Sequence, residues 1–214
     1  MNDFQQFIAS ILLWAEGFAA MTGLFYYNRI KKEHWKFFVF YLVFIFICEA
    51  IGKWANFIYF PKALFYNYFV IPVQFIFFYW LFAAKSLKKP KLFYILSILY
   101  LISYIISELY FSKKKIVFSF NYTFGCLLLM FLVAMEYYKQ VNSTDILNFS
   151  RNRMFYISLG ITISYIGTLP FFALYDQLYK YQGLWNIYFD YFLLGNVVMY
   201  ILFSSSFIWG RQSS

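Results

Sequence analysis

Seven long apolar runs constrain this chain before any other feature does. Each is long enough to cross about 30 Å of hydrocarbon at a helical rise of 1.5 Å per residue. Roughly, they extend over Phe7–Tyr27, Phe37–Phe60, Leu64–Ala84, Leu92–Phe111, Ile116–Tyr138, Met154–Tyr175 and Leu184–Trp209. The connecting stretches, such as NRIKKEHWK, PKA and KSLKKPK, are too short to fold alone, so residues 1–214 read as one all-α transmembrane bundle. Charged residues make up 13% of the chain, against about a quarter in soluble domains. The polar N-terminus MNDFQQ and the length of the first run argue against a cleavable leader.

The net charge of +9 would suggest nucleic acid in a soluble protein. Here the cations fall in short loops between spans, so their distribution reports membrane orientation and not a nucleic-acid surface. Twelve lie on one side: Arg29, Lys31, Lys32, Lys36, Lys85, Lys88, Lys89, Lys91, Lys139, Arg151, Arg153 and Arg211. Five lie on the other: Lys62, Lys113, Lys114, Lys115 and Lys180. This asymmetry predicts an external N-terminus and a cytoplasmic C-terminus, with the SKKK run as the dissenting loop. A duplication is also legible, since LFYNYFVIPVQFIFFY from Leu64 aligns with LWNIYFDYFLLGNVVMY from Leu184. It predicts a parallel 3+1+3 repeat with the fourth span as linker.

Ionisable groups inside a membrane are expensive, about 2.5–3.5 kcal/mol each on insertion scales, so they are the first candidates for function. Glu16 shares a face with Ala9, Leu12, Ala19, Ala20 and Gly23, a row of mostly small residues that directs it into the bundle. Glu49 and Lys53 are four residues apart and can neutralise one another on one helical face. Asn186 and Asp190 repeat that spacing in the last span, and Gln74 follows Pro72 in the third. These six residues form the expected ligand- or proton-binding cluster. A structural role, in which the same groups only join helices, explains each of them nearly as well. Pro72 and Pro170 each free a carbonyl in mid-span and read as hinges or static kinks. Gly160, Ser164 and Gly167 form a packing face. Glu108 and Glu136 lie near helix ends, where a charge reaches water by snorkelling, and are discounted.

Enzymatic signatures are absent from the sequence: it has no HExxH, no GxSxG and no phosphate-binding loop, and no lysine in the last span to carry a retinal. His34 has no second histidine or nearby cysteine to make a metal site, and Cys48 and Cys126 read as core residues. No cofactor is expected. The Asn-x-Ser/Thr matches at Asn121, Asn142 and Asn148 fall in a span or on the expected cytoplasmic side and carry nothing.

The stretch MFYISLGITISYIGTLPFFALY from Met154, with LWNIYFDYFLLGNVVMYILFSSSF from Leu184, resembles a group of small, mostly uncharacterised bacterial seven-helix membrane proteins. Their genes often lie beside sensor histidine kinases. The third-span stretch LFYNYFVIPVQFIFF is similar to the same group, in which a carboxylate is usual near the position of Gln74. The resemblance implies a receptor or sensor that depends on a partner, for which a histidine kinase is a candidate. In topology the chain is also similar to SWEET transporters and their PQ-loop relatives, although Val73 separates Pro72 from Gln74 where those proteins have a Pro-Gln dipeptide.

The reading preferred from sequence is therefore a non-enzymatic sensor or receptor-like subunit. It would relay a small-ligand or proton signal to another membrane or cytoplasmic protein, or to a second copy of itself. The alternatives are a transporter for a small polar solute and a structural subunit of a larger membrane complex.

Overall fold

The computed structural model describes residues 2–54, 61–111, 119–143, 150–178 and 180–210. The outer end expected for the second span, the lysines of the SKKK run, Asn148, Arg211 and the side chain of Glu108 lie outside the described residues. Helix covers 88% of the described residues, and no strand occurs among them.

The rods are α1 (Asp3–Phe25), α2 (Lys36–Trp54), α3 (Lys62–Ser86), α4 (Pro90–Phe111), α5 (Ser119–Val141), α6 (Arg153–Ala173) and α7 (Gln182–Ile208). Six of them are long and apolar enough to cross a membrane; α2, which carries Lys36, Glu49 and Lys53, is the seventh rod but does not join those six among the described residues. The protein is thus a multi-pass membrane protein. Its outer surface explains why: Phe7, Trp14, Phe18, Met21 and Phe25 form an exposed stripe on α1, with Trp14 78% accessible. A lipid solvent makes such a stripe favourable.

Local signals set the ends of the rods. Asn2 caps α1, its side chain accepting from the Gln5 backbone while the Gln5 side chain accepts from the Asn2 backbone. Asn152 caps α6 by accepting from Met154 N at 3.0 Å. At the end of α3, Lys88 takes φ 56°, and Pro90 then opens α4.

α1 packs most extensively on α7, α7 on α6, and α1 on α2, while α4 leans on α5 and α3. α3 runs through the centre, with Phe75, Phe78, Tyr79, Leu81, Phe82 and Ala83 fully buried. The core is built of rings. Tyr41 stacks on Phe77 at 4.2 Å, Phe38 meets Phe203 at 5.2 Å and Phe207 at 5.6 Å, and Phe78 meets Tyr165 at 5.6 Å. The expected small-residue face of α6 does pack on α7: Gly160 abuts Met199 and Phe203, and Ser164 donates to Asn196 Oδ1 at 2.8 Å.

α3 and α6 are not regular. In α3, residues Tyr66–Val70 and Trp80–Ser86 are π-helical, and in α6 residues Thr162–Ile166 are. Pro72 and Pro170 stand in the first turn after a π segment. Proline has no N–H for the i−4 carbonyl and its ring crowds that oxygen, so the preceding backbone widens instead: Ile71 N–H reaches Tyr66 O and Gly167 N–H reaches Thr162 O at 2.9 Å. The Thr168 hydroxyl donates to Ser164 O at 2.5 Å, beside the Thr168 N–H that the same carbonyl accepts at 3.2 Å. The two spans that share this irregularity are α3 and α6, whereas the sequence repeat pairs α3 with α7.

Candidate functional site

Glu16 lies roughly 20 Å along α1 from Asp3, and Glu49 roughly 20 Å along α2 from Lys36, at 1.5 Å per residue. Because the two helices are antiparallel neighbours, both carboxyls reach the middle of the bundle. They line one cavity of about 370 Å³, together with Gln6, Ser10, Lys53 and Lys62. Glu16 is 5% exposed and lies on the buried small-residue face of α1, with Ala19, Ala20 and Gly23. The two carboxyls act on one another electrostatically.

Each carboxyl has a tyrosine. The Tyr66 hydroxyl donates to Glu49 Oε2 at 2.7 Å, and Tyr200 of α7 lies close enough to Glu16 for the two to act on one another electrostatically. Lys62 lies 5.7 Å from the centre of the Tyr66 ring and acts electrostatically on Glu49. The expected pair between Glu49 and Lys53 is not formed: the ion pairs among the described residues are Lys139–Glu136 and Arg153–Glu33. Lys53 is exposed at the cavity wall, and the place foreseen for it beside Glu49 is taken by a donor from α3. An exposed ammonium keeps its hydration there, while a phenol loses little on being held.

Tyrosines extend the site inward. Tyr41 and Tyr165 lie close enough to act on one another electrostatically, and both feel the Glu16 carboxyl. Tyr165 sits in the π segment of α6 and stacks on Tyr122 of α5 at 6.2 Å. Towards the end of the bundle that holds Lys36 and Ile208, the rings of Phe38, Phe77, Phe78, Phe203 and Phe207 close the interior. The cavity therefore opens on one side and is sealed on the other.

The remaining expected members lie elsewhere. Asp190 is held by Gln5 Nε2 at 2.9 Å at the α1–α7 contact, outside the cavity lining. Asn186 accepts from Gln182 within α7 at 3.4 Å. Gln74 is half-buried on α3, also outside the lining. The cluster is thus Glu16, Glu49 and Lys53 with Lys62, Tyr66 and Tyr200, and the last three had no distinguishing signal among 18 basic residues and 22 tyrosines.

Glu136 corrects a second expectation. It does not snorkel: it is 1% exposed, accepting from Ser86 Oγ at 2.6 Å and Gln140 Nε2 at 2.9 Å, with Lys139 at 3.7 Å. The group fastens the end of α3 to α5 and is satisfied within itself. Cys48 and Cys126 are buried free thiols, and no metal-ligating cluster occurs among the described residues. A scan against family models and searches of curated proteins and of solved structures found no match to this chain.

Proposed function

We propose that this is a non-enzymatic, seven-span sensor or receptor-like subunit of a bacterial inner membrane, with α2 as the seventh span and the N-terminus outside. A small cationic or amine-bearing ligand, or a proton, enters the Glu16–Glu49 cavity from the outer side. The response passes through α3 and α6 to a partner on the basic cytoplasmic face.

The observation that carries this reading is the cavity's one-sidedness joined to its tyrosine contacts. Two carboxyls share the cavity wall with the ammonium groups of Lys53 and Lys62, and neither carboxyl is ion-paired among the described residues, which leaves both open to a proton or to an amine-bearing ligand. Occupancy changes the demand that Glu49 makes on Tyr66, in one π segment, and that Glu16 makes on Tyr200 beside the Tyr41–Tyr165 pair, in another. π segments hold their backbone with wider turns and are the parts of a helix most readily rewound. The loops between the rods are too short to hold an effector, and the movement is passed from them to another protein.

The ring seal favours this over a transporter, which needs a second opening. The test labels Lys31→Cys and Lys88→Cys for pulsed electron resonance in nanodiscs, and measures flux in proteoliposomes. The sensor reading expects a shift in the distance distribution on acidification or on addition of an amine, absent in Glu16→Gln/Glu49→Gln, and no flux. Solute flux that Glu49→Gln abolishes would instead establish the transporter.

A further inference from the structure

A second and larger cavity, of about 720 Å³, lies at the opposite end of the bundle, where the end of α1, the α1–α2 linker, the start of α6 and the end of α7 meet. Its wall carries the guanidinium groups of Arg29, Arg151 and Arg153 and one carboxylate, that of Glu33. Arg153 is buried and held by three hydrogen bonds: Nε donates to Ser206 O at 3.3 Å, Nη2 to Gly210 O at 3.1 Å and Nη1 to Glu33 at 3.4 Å. Its positive charge is thereby matched to the only acid in the lining. Arg29 and Arg151 are exposed and form no ion pair among the described residues. Arg29 is held over the Tyr26 ring at 5.5 Å, which keeps its guanidinium at the cavity. The cavity is therefore a cationic basin with a neutralised floor.

Its surroundings identify the anion. Tyr26 and Trp209 belong to the lining and are of the type that collects at the headgroup level. Phe25 and Ile208, next to them in the chain, are exposed, Phe25 by 79%. Anionic charge is thus wanted at a point flanked by apolar surface, at the end of membrane-length rods. Arginine forks suit phosphate oxygens, and basic pockets between spans accept lipid headgroups.

We propose that this cavity binds the phosphate headgroup of an anionic phospholipid, with Arg29 and Arg151 on the phosphate and Phe25 and Ile208 along the acyl chains. The lipid would join the α1–α2 linker to the ends of α6 and α7. This site is separate from the Glu16–Glu49 cavity and does not depend on the function proposed for it.

Native mass spectrometry of the purified full chain, titrated with phosphatidylglycerol and with phosphatidylcholine, tests the assignment. Phosphatidylglycerol should bind in preference, and Arg29→Gln and Arg151→Gln should each weaken it about fivefold, the equivalent of one basic contact at a membrane surface. Lys88→Gln/Lys89→Gln, on the same face but outside the lining, should leave it unchanged. An unaltered unfolding temperature in the arginine variants shows that the exposed positions do not act through folding. No preference for phosphatidylglycerol, or an equal loss in the lysine variant, overturns the proposal. So does saturation by inorganic phosphate or an acidic peptide alone at concentrations that match the lipid, which would make the basin a site for free anion or for a protein.

Discussion

Tyr66 and Glu49 join α3 to α2 through a hydroxyl-to-carboxyl hydrogen bond of 2.7 Å, and the donor stands in the first π segment of α3. Among the described residues it is the contact by which a backbone irregularity and a cavity carboxyl meet directly. Tyr66→Phe removes the donor and should destabilise the protein by about 0.6–1.7 kcal/mol, the range of hydrogen bonds between membrane helices. Glu49→Gln keeps an acceptor oxygen at the site and should lose less. Unfolding in mixed detergent micelles measures both; a larger loss in Glu49→Gln would mean that the carboxyl's charge, and not this bond, holds α2 to α3.

Arg153 ties the start of α6 to the end of α7 and to the α1–α2 linker with three separate N–H groups, while its guanidinium lies 5.1 Å from the centre of the Trp35 ring. Lysine is a point donor without that fork, so Arg153→Lys should lose about 2 kcal/mol or more, leaving the carbonyl of Ser206 in α7 or that of Gly210 just beyond it without its donor. Thermal unfolding gives the loss. Faster thiol labelling of Ile208→Cys in the same background shows that it falls at the end of α7.

A Cβ added at Gly125 would come within 2.8 Å of the Phe75 ring, which is fully buried on α3. The same glycine's carbonyl accepts from Tyr79 at 2.9 Å, so α5 cannot simply withdraw. Gly125→Ala should destabilise by about 1–3 kcal/mol through overpacking. Combining it with Phe75→Leu should recover part of the loss, and a double-mutant cycle measures the coupling.

His34 lies in the α1–α2 linker, where burial, and then the nearby charges of Lys85 and Arg153, hold its imidazole below the usual 6.5. The unfolded chain therefore binds a proton at a pH where the folded chain still resists one. Stability is full above about 6.5 and falls as pH drops from there through the lowered folded value. Comparing unfolding at pH 8 and pH 5 in wild type and His34→Gln checks this, with the variant expected to show the shallower dependence.

The membrane class was legible because lipid imposes length and apolarity on every span, and the burial of Glu16 followed from the small residues around it. The partners of the carboxyls were not. Tyr66 and Tyr200 are two tyrosines among 22, and sequence spacing says nothing about which helix lies opposite Glu49. An i, i+4 argument favoured Lys53 because it sees only one rod at a time. It failed at Asp190 for the same reason, since the partner there is Gln5 at the far end of the chain. Glu136 was misjudged because distance from a helix end stands in poorly for access to water when another rod, here the end of α3 with Ser86, covers that end.

Each π segment accommodates one residue more than the α ladder around it would hold, so the stretches before and after it are set out of phase by about 100°. Removing a single residue from Thr162–Ile166 would take out the wide turn and yet rotate everything beyond it, Phe171 and Phe172 included, by about 100° away from the present core contacts. Gene shortening by one codon in α3 or α6 would thus turn a different side of the rod to lipid, a heavier change than most point substitutions there. Chain length within these two rods is as specific a part of the protein's information as the identity of its charged groups.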